Sequence, residues 1–132
     1  MTNTSSHVNP SDPLSRYLMS SKWLGFQDGR VRVKYHAFMP HPMLIELSVF
    51  MTKGLPEKKI WKIGKRVARR SERTLYGRAD VSVSKVLNAG LRIDPDRWPS
   101  RHANIVGWPQ KKSEQKLIAI KLSTSLNPKL LT

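Results

Sequence analysis

The stretch LIELSVFMTKGLPEKKIWKIGKRVARR, Leu44 to Arg70, changes its hydrophobic period partway along. In its first part Leu44, Glu46, Ser48 and Phe50 alternate with Ile45, Leu47, Val49 and Met51. A period of two is that of a strand, and the second set, wholly apolar, is expected to face a core. Gly54-Leu55-Pro56 then interrupts the pattern. Pro56 suits the start of a helix and Glu57 complements its dipole. From Glu57 to about Arg70 the period becomes helical. At 100° per residue Ile60, Trp61, Ile63, Gly64, Val67 and Ala68 gather on one side. The opposite side holds Lys58, Lys59, Lys62, Lys65, Arg66, Arg69 and Arg70, extended by Arg73 just beyond, with Glu72 as the one acid nearby. A strand followed by an amphipathic helix sets the class.

Working outward, residues 30–38 alternate Val31, Val33, Tyr35 and Ala37 with Arg32, Lys34, His36 and Phe38, as a strand with one wet face does. Asp28-Gly29 before it is a turn signal. Residues 15–26 are compatible with a short helix ended by Gly25. Tyr76-Gly77 marks a turn, and residues 81–89 read as a short helix capped by Asp80, with a strand as the alternative. Short strands are expected at 91–93 and 103–108, and a helix at 111–123, where I118-x-I120-x-L122 also permits a strand. Strands and helices interleave. The expected fold is α+β, a small mixed or antiparallel sheet packed with two or three helices. Its organisation is a flexible tail at 1–13, rich in Ser, Thr, Asn and Pro, a single α+β domain at 14–123, and a C-terminal tail at 124–132.

Composition narrows the function. The 132 residues carry 24 Lys+Arg against 9 Asp+Glu, a net charge of +15. Mixed surface charge suffices for solubility, so an imbalance of this size points to a polyanion, and nucleic acid is the abundant one. There is no cysteine, which removes disulfides, cysteine-based zinc sites and thiol nucleophiles. No apolar run approaches the roughly 20 residues of a membrane span. The polar start, 1–9, has no signal-peptide core, so a cytoplasmic location and no membrane partner are expected.

Two constellations carry the functional reading. On the basic helix, Lys58, Lys62, Lys65, Arg66, Arg69, Arg70 and Arg73 are the expected phosphate contacts. Its arginines suit bidentate phosphate recognition. The segment RWPSRHANIVGWP, Arg97 to Pro109, supplies the second surface. Arg97, Trp98 and Arg101 can stack on unpaired bases and grip phosphates, and His102 is a candidate general acid or base. Against this, Trp108 and Ile105 suit a core role. His36 and His41 flank a proline turn and build no metal-ligand spacing, so neither a metal nor another cofactor is expected. Asp94 and Asp96 share a turn, where they are able to pair for magnesium but suit solvated turn positions better. P-loop, GxGxxG and GxSxG patterns are absent from the sequence.

The pieces Gly77-Arg78-Ala79-Asp80-Val81, Gly90-Leu91, Asp94-Pro95-Asp96 and His102-Ala103-Asn104-Ile105-Val106-Gly107-Trp108-Pro109 together resemble a group of short bacterial proteins with no known activity. Leu47-Ser48-Val49-Phe50, Gly54-Leu55 and Ile60-Trp61-Lys62-Ile63-Gly64 resemble their first half, so the likeness spans about 35–122. The resemblance implies a bacterial or mobile-element origin and one compact domain, and it supplies no catalytic residue. The expectation is a nucleic-acid-binding accessory module, for RNA or DNA, within a larger bacterial protein or ribonucleoprotein complex. The alternative is a small nuclease or nucleotide-modifying effector that uses His102 as acid or base.

Overall fold

A computed structural model describes residues 8–96 and 98–131. Eight strands and three α-helices follow one another as β1 (Pro13–Leu18), β2 (Leu24–Gln27), β3 (Arg30–Val33), β4 (Leu47–Met51), α1 (Glu57–Arg70), β5 (Gly77–Ser82), α2 (Val83–Asn88), β6 (Arg92–Pro95), β7 (His102–Val106), α3 (Lys112–Ser123) and β8 (Lys129–Leu130). Six of the strands form one antiparallel sheet in the order β6-β7-β4-β1-β5-β8, while β2 and β3 make a separate hairpin. This is the small α+β fold that the interleaved periods imply.

One face of the sheet is covered and the other covered in part, and the alternation within each strand sorts its residues between them. Leu14 and Leu18 of β1, Leu47 and Val49 of β4, Ala79 and Val81 of β5, and Ala103 and Ile105 of β7 enter the larger core. That core is completed by Val83 and Val86 of α2, Ala119 and Leu122 of α3, Trp108, and Phe38 from a 3-10 turn at Tyr35–Phe38. The opposite face is covered in part by α1. There Tyr17, Phe50, Ile60, Ala68 and Leu75 form a smaller cluster. Helix α1 comes so close to β1 that a Cβ on Gly64 would stand 2.5 Å from the Tyr17 ring. Tyr17 in turn donates its hydroxyl hydrogen bond to the Ile60 carbonyl.

Several expectations are corrected. Residues 15–26 form no α-helix: β1 is a central strand held by six residue pairs with β5, and a single 3-10 turn at Ser21–Trp23 leads from it to β2. The strand expected at 30–38 stops at Val33 and continues as the 3-10 turn, which tucks Ala37 and Phe38 into the core. The strand expected at 44–51 begins at Leu47, since Ile45 takes a left-handed φ of 52°. Phe50, assigned by alternation to the outward set, is buried because a second layer lies over that side.

Gly77 opens β5 instead of a turn. A side chain there would meet the Lys129 carbonyl at 2.5 Å, so glycine is what lets β8 pair at that edge. Helix α2 starts at Val83 and is capped by the Ser82 hydroxyl, not by Asp80, whose carboxylate faces Arg78. Residues from both expected tails contact the fold. Pro10 and Asp12 carbonyls accept from Ser84 and Val83, Asp12 is buried, and Lys129–Leu130 extends the sheet.

Candidate functional site

The α1-facing side of the sheet carries polar residues wherever the helix leaves it uncovered. Ser48 and Phe50 of β4 lie opposite Asn104 and His102 of β7 in the antiparallel register. Between these strands and α1 opens a cleft of about 600 Å³. Its floor is apolar, from Phe50, Leu55, Ile63 and Val67, and Lys59, Lys62, Arg66 and Arg70 line its helix side. Ser48, His102, Arg101 and the 99–100 turn line the other side.

The cationic stripe keeps its charge free. Lys58, Lys59, Lys62, Lys65, Arg66, Arg69, Arg70 and Arg73 are all exposed. Among the described residues none of the eight forms an ion pair. Positions 59, 62, 66 and 70 fall on the helix side that meets the cleft, and Lys58, Lys65 and Arg69 turn away from it. Arg73 lines a smaller adjoining pocket with Arg16, Trp23 and Ser48.

Arg16 is a cation that sequence reasoning missed. Strands β1 and β4 pair only at Leu14 with Met51 and Ser15 with Phe50. Beyond that ladder the Arg16 guanidinium takes over, donating to the Ala37 carbonyl at 2.8 Å and the Ser48 carbonyl at 3.1 Å. It also sits 4.9 Å over the Trp23 ring. Burial, reinforced by the charge of Arg73, pulls Arg16 down to about 10, so it remains cationic at neutral pH.

His102 is held on both ring nitrogens. Asp96 Oδ1 lies 2.6 Å from Nδ1, and Ser48 Oγ lies 2.6 Å from Nε2. The carboxylate accepts a hydrogen bond from the Nδ1–H, which turns Nε2 toward the serine hydroxyl. Phe50 meets the imidazole edge-on at 5.2 Å. Asp96 is itself fixed by the Trp98 backbone N–H and the Asn104 side-chain amide, each at 3.2 Å. Burial opposes ionisation of Asp96, but its hydrogen bond from His102, with those from Trp98 and Asn104, holds the carboxyl below its ordinary value.

Local backbone sets this geometry. Arg101 has a left-handed φ of 69°, and its carbonyl accepts from Met51 N–H, closing the end of β4 onto the start of β7. Its guanidinium reaches the Met51 and Lys53 carbonyls at 3.2 and 3.3 Å. A non-glycine residue in this conformation is strained and is kept there by its surroundings. Arg101 thus lines the cleft while also clasping the chain that shapes it.

The expected site residues therefore divide. Lys62, Arg66, Arg70, Arg101 and His102 come together around one cleft. Trp98 is 84% exposed and stands outside the cleft lining, and Arg97 lies outside the described residues. Trp108 is core, donating its indole N–H to the Ile105 carbonyl. Asp94 does not join Asp96, which turns to His102, and no group of three potential metal ligands occurs among the described residues. No helix there is long and apolar enough to cross a membrane. No protein-family model, curated protein or solved structure matches the chain.

Proposed function

We propose that this protein binds nucleic acid through the phosphate backbone, using the exposed face of α1 and the cleft beside it. The observation that carries the reading is the row of eight exposed cations without acidic partners among the described residues, four of which converge on the cleft. Surface charge kept for solubility alone has no reason to gather on one helix face. Free Lys and Arg release condensed counterions when they dock on phosphates, which makes binding favourable and sequence-tolerant. The apolar floor under those cations accommodates an unpaired base or sugar without displacing the phosphate contacts. Cytoplasmic nucleic acid, free or within a larger ribonucleoprotein or DNA-handling assembly, is the partner this reading implies.

The test is a salt series on the whole chain, with fluorescently labelled single- and double-stranded RNA and DNA oligonucleotides. Several neutralised phosphates give a steep fall of log affinity with log salt, close to one unit of slope per neutralised phosphate. A slope near zero on every oligonucleotide overturns the reading.

A further inference from the structure

We propose that Ser48, His102 and Asp96 form a catalytic relay that cleaves phosphodiesters bound in the cationic cleft, with Ser48 as the nucleophile. The inference rests on the phosphate-binding reading above and adds a reaction to it. Three observations carry it. Asp96, His102 and Ser48 are joined in series by two hydrogen bonds of 2.6 Å, the order in which an orienting carboxylate, a base and a hydroxyl nucleophile act. Ser48 is exposed, and it lines the same cleft as Lys59, Lys62, Arg66 and Arg70. Two of the three stand on paired strands, Ser48 within β4 and His102 at the start of β7, and the Asn104 amide on β7 holds Asp96 in the loop after β6.

The charge distribution selects the substrate class. Acyl transfer by a serine needs N–H donors aimed at one developing oxyanion. Phosphoryl transfer instead spreads negative charge over non-bridging oxygens, which Lys and Arg side chains stabilise. Four cations on the facing helix wall match the second requirement.

In the first step Ser48 Oγ forms a bond to phosphorus as its proton passes to His102 Nε2. The bond from phosphorus to the leaving oxygen breaks, and that oxygen takes the proton from the imidazolium. In the second step water attacks the phosphoserine diester and gives its proton to Nε2. The bond from phosphorus to Oγ breaks, and Ser48 is reprotonated. The sum is one diester and one water giving one alcohol and one phosphate monoester. Asp96 stays ionised throughout and acts as a positioning residue. Because Ser48 supplies the attacking oxygen, no 2′-hydroxyl of the substrate is required.

The experiment follows cleavage and binding together, on end-labelled single-stranded DNA and RNA oligonucleotides with the full-length protein. Wild type is expected to cleave both and to carry a phosphoryl adduct on Ser48, seen by mass spectrometry after an acid quench. Ser48→Ala and His102→Gln should each lose about 100-fold or more in cleavage, with a far smaller change in oligonucleotide affinity, which the unaltered cations of α1 carry. Asp96→Asn should keep affinity and move the pH dependence of the residual rate. Circular dichroism confirms that each variant folds, and the wild-type adduct is a readout that needs no variant. Binding without cleavage overturns the relay and leaves the phosphate-binding reading standing, whereas loss of binding itself sinks both. Cleavage of RNA alone that persists in Ser48→Ala, ending in a 2′,3′-cyclic phosphate, overturns Ser48 as nucleophile. Turnover of p-nitrophenyl acetate with no phosphodiester cleavage overturns the substrate class.

Discussion

The guanidinium of Arg78, only 1% exposed on β5, meets the carboxylate of Glu57, the first residue of α1, at 2.5 Å. A second bond joins Arg78 Nη1 to Glu57 Oε2 at 3.1 Å, and Nε faces both oxygens of Asp80 at 3.2 Å. Trp61, one turn along α1, covers the cation at 4.8 Å and donates its indole N–H to Glu57. This clasp fixes the N-terminal end of the helix on the sheet, and so sets where the cationic face lies relative to the cleft.

Removing the cation leaves the carboxylates of Glu57 and Asp80 with Lys129 as the one other ion-pair partner among the described residues. Loss of one partner from a buried ionic cluster is strongly destabilising. Glu57 and Asp80 retain some exposure to solvent, which lowers the cost. Arg78→Met is expected to lose stability, by less than the roughly 3–5 kcal/mol of a fully buried pair because Glu57 is exposed. Urea denaturation followed by tryptophan fluorescence measures it, and an unchanged midpoint contradicts the clasp.

Acid should loosen the same clasp. The Arg78 hydrogen bonds hold the Glu57 carboxyl at about 2, below its ordinary 4.5. A group depressed in the folded state contributes stability that is complete above its unfolded value and lost as pH falls through its folded one. The window therefore runs from about 4.5 down to about 2. Wild type should show a steeper drop in Tm across it than Glu57→Gln, and the two curves should converge at the acid end.

Gly64→Ala sets two effects against each other. Alanine in mid-helix gains about 1 kcal/mol in propensity. The new methyl would lie 2.5 and 2.6 Å from Tyr17 ring carbons and 3.2 Å from Leu75. Tyr17 is buried, with its hydroxyl bound to Ile60, so it has little room to move. Overpacking costs about 1–3 kcal/mol, and the clash should win. A lower Tm for the variant is the expected result, and a higher one would mean that α1 slides freely over β1.

Neutralising cations should act by position. Lys62, Arg66 and Arg70 replaced together by Gln should flatten the salt dependence of oligonucleotide binding by about one unit of slope for each phosphate they no longer neutralise. Lys111, Lys112 and Lys116, exposed at the start of α3, line no part of the cleft. The same change there should leave the slope in place. Equal effects from both sets would mean diffuse attraction with no defined surface.

The sequence was most legible where one element could be understood alone. Helix α1 runs from Glu57 to Arg70 in the structure, as the switch in period predicts, because cation and apolar side chain separate around its own axis. Ser48 and Asp96 were harder. Ser48 is one polar residue in an alternating strand, and Asp96 is one acid in a turn. Ser48 meets His102 only once β4 and β7 are in register, across 54 positions of sequence. A usable hint was Asp96 six residues before a histidine that opens a strand. The role of Arg78 is hidden for the same reason: in the sequence it is one arginine among many, and its partner Glu57 comes from another element.

The pairing of β4 with β7 also orders events in time. Helix α1 closes its hydrogen bonds between near neighbours, whereas Ser48 and His102 meet only after α1, β5, α2 and β6 have been looped out between them. Closing so long a loop is entropically costly and slow compared with winding a helix. During refolding α1, with its positive charge, is therefore expected to form before Ser48 meets His102.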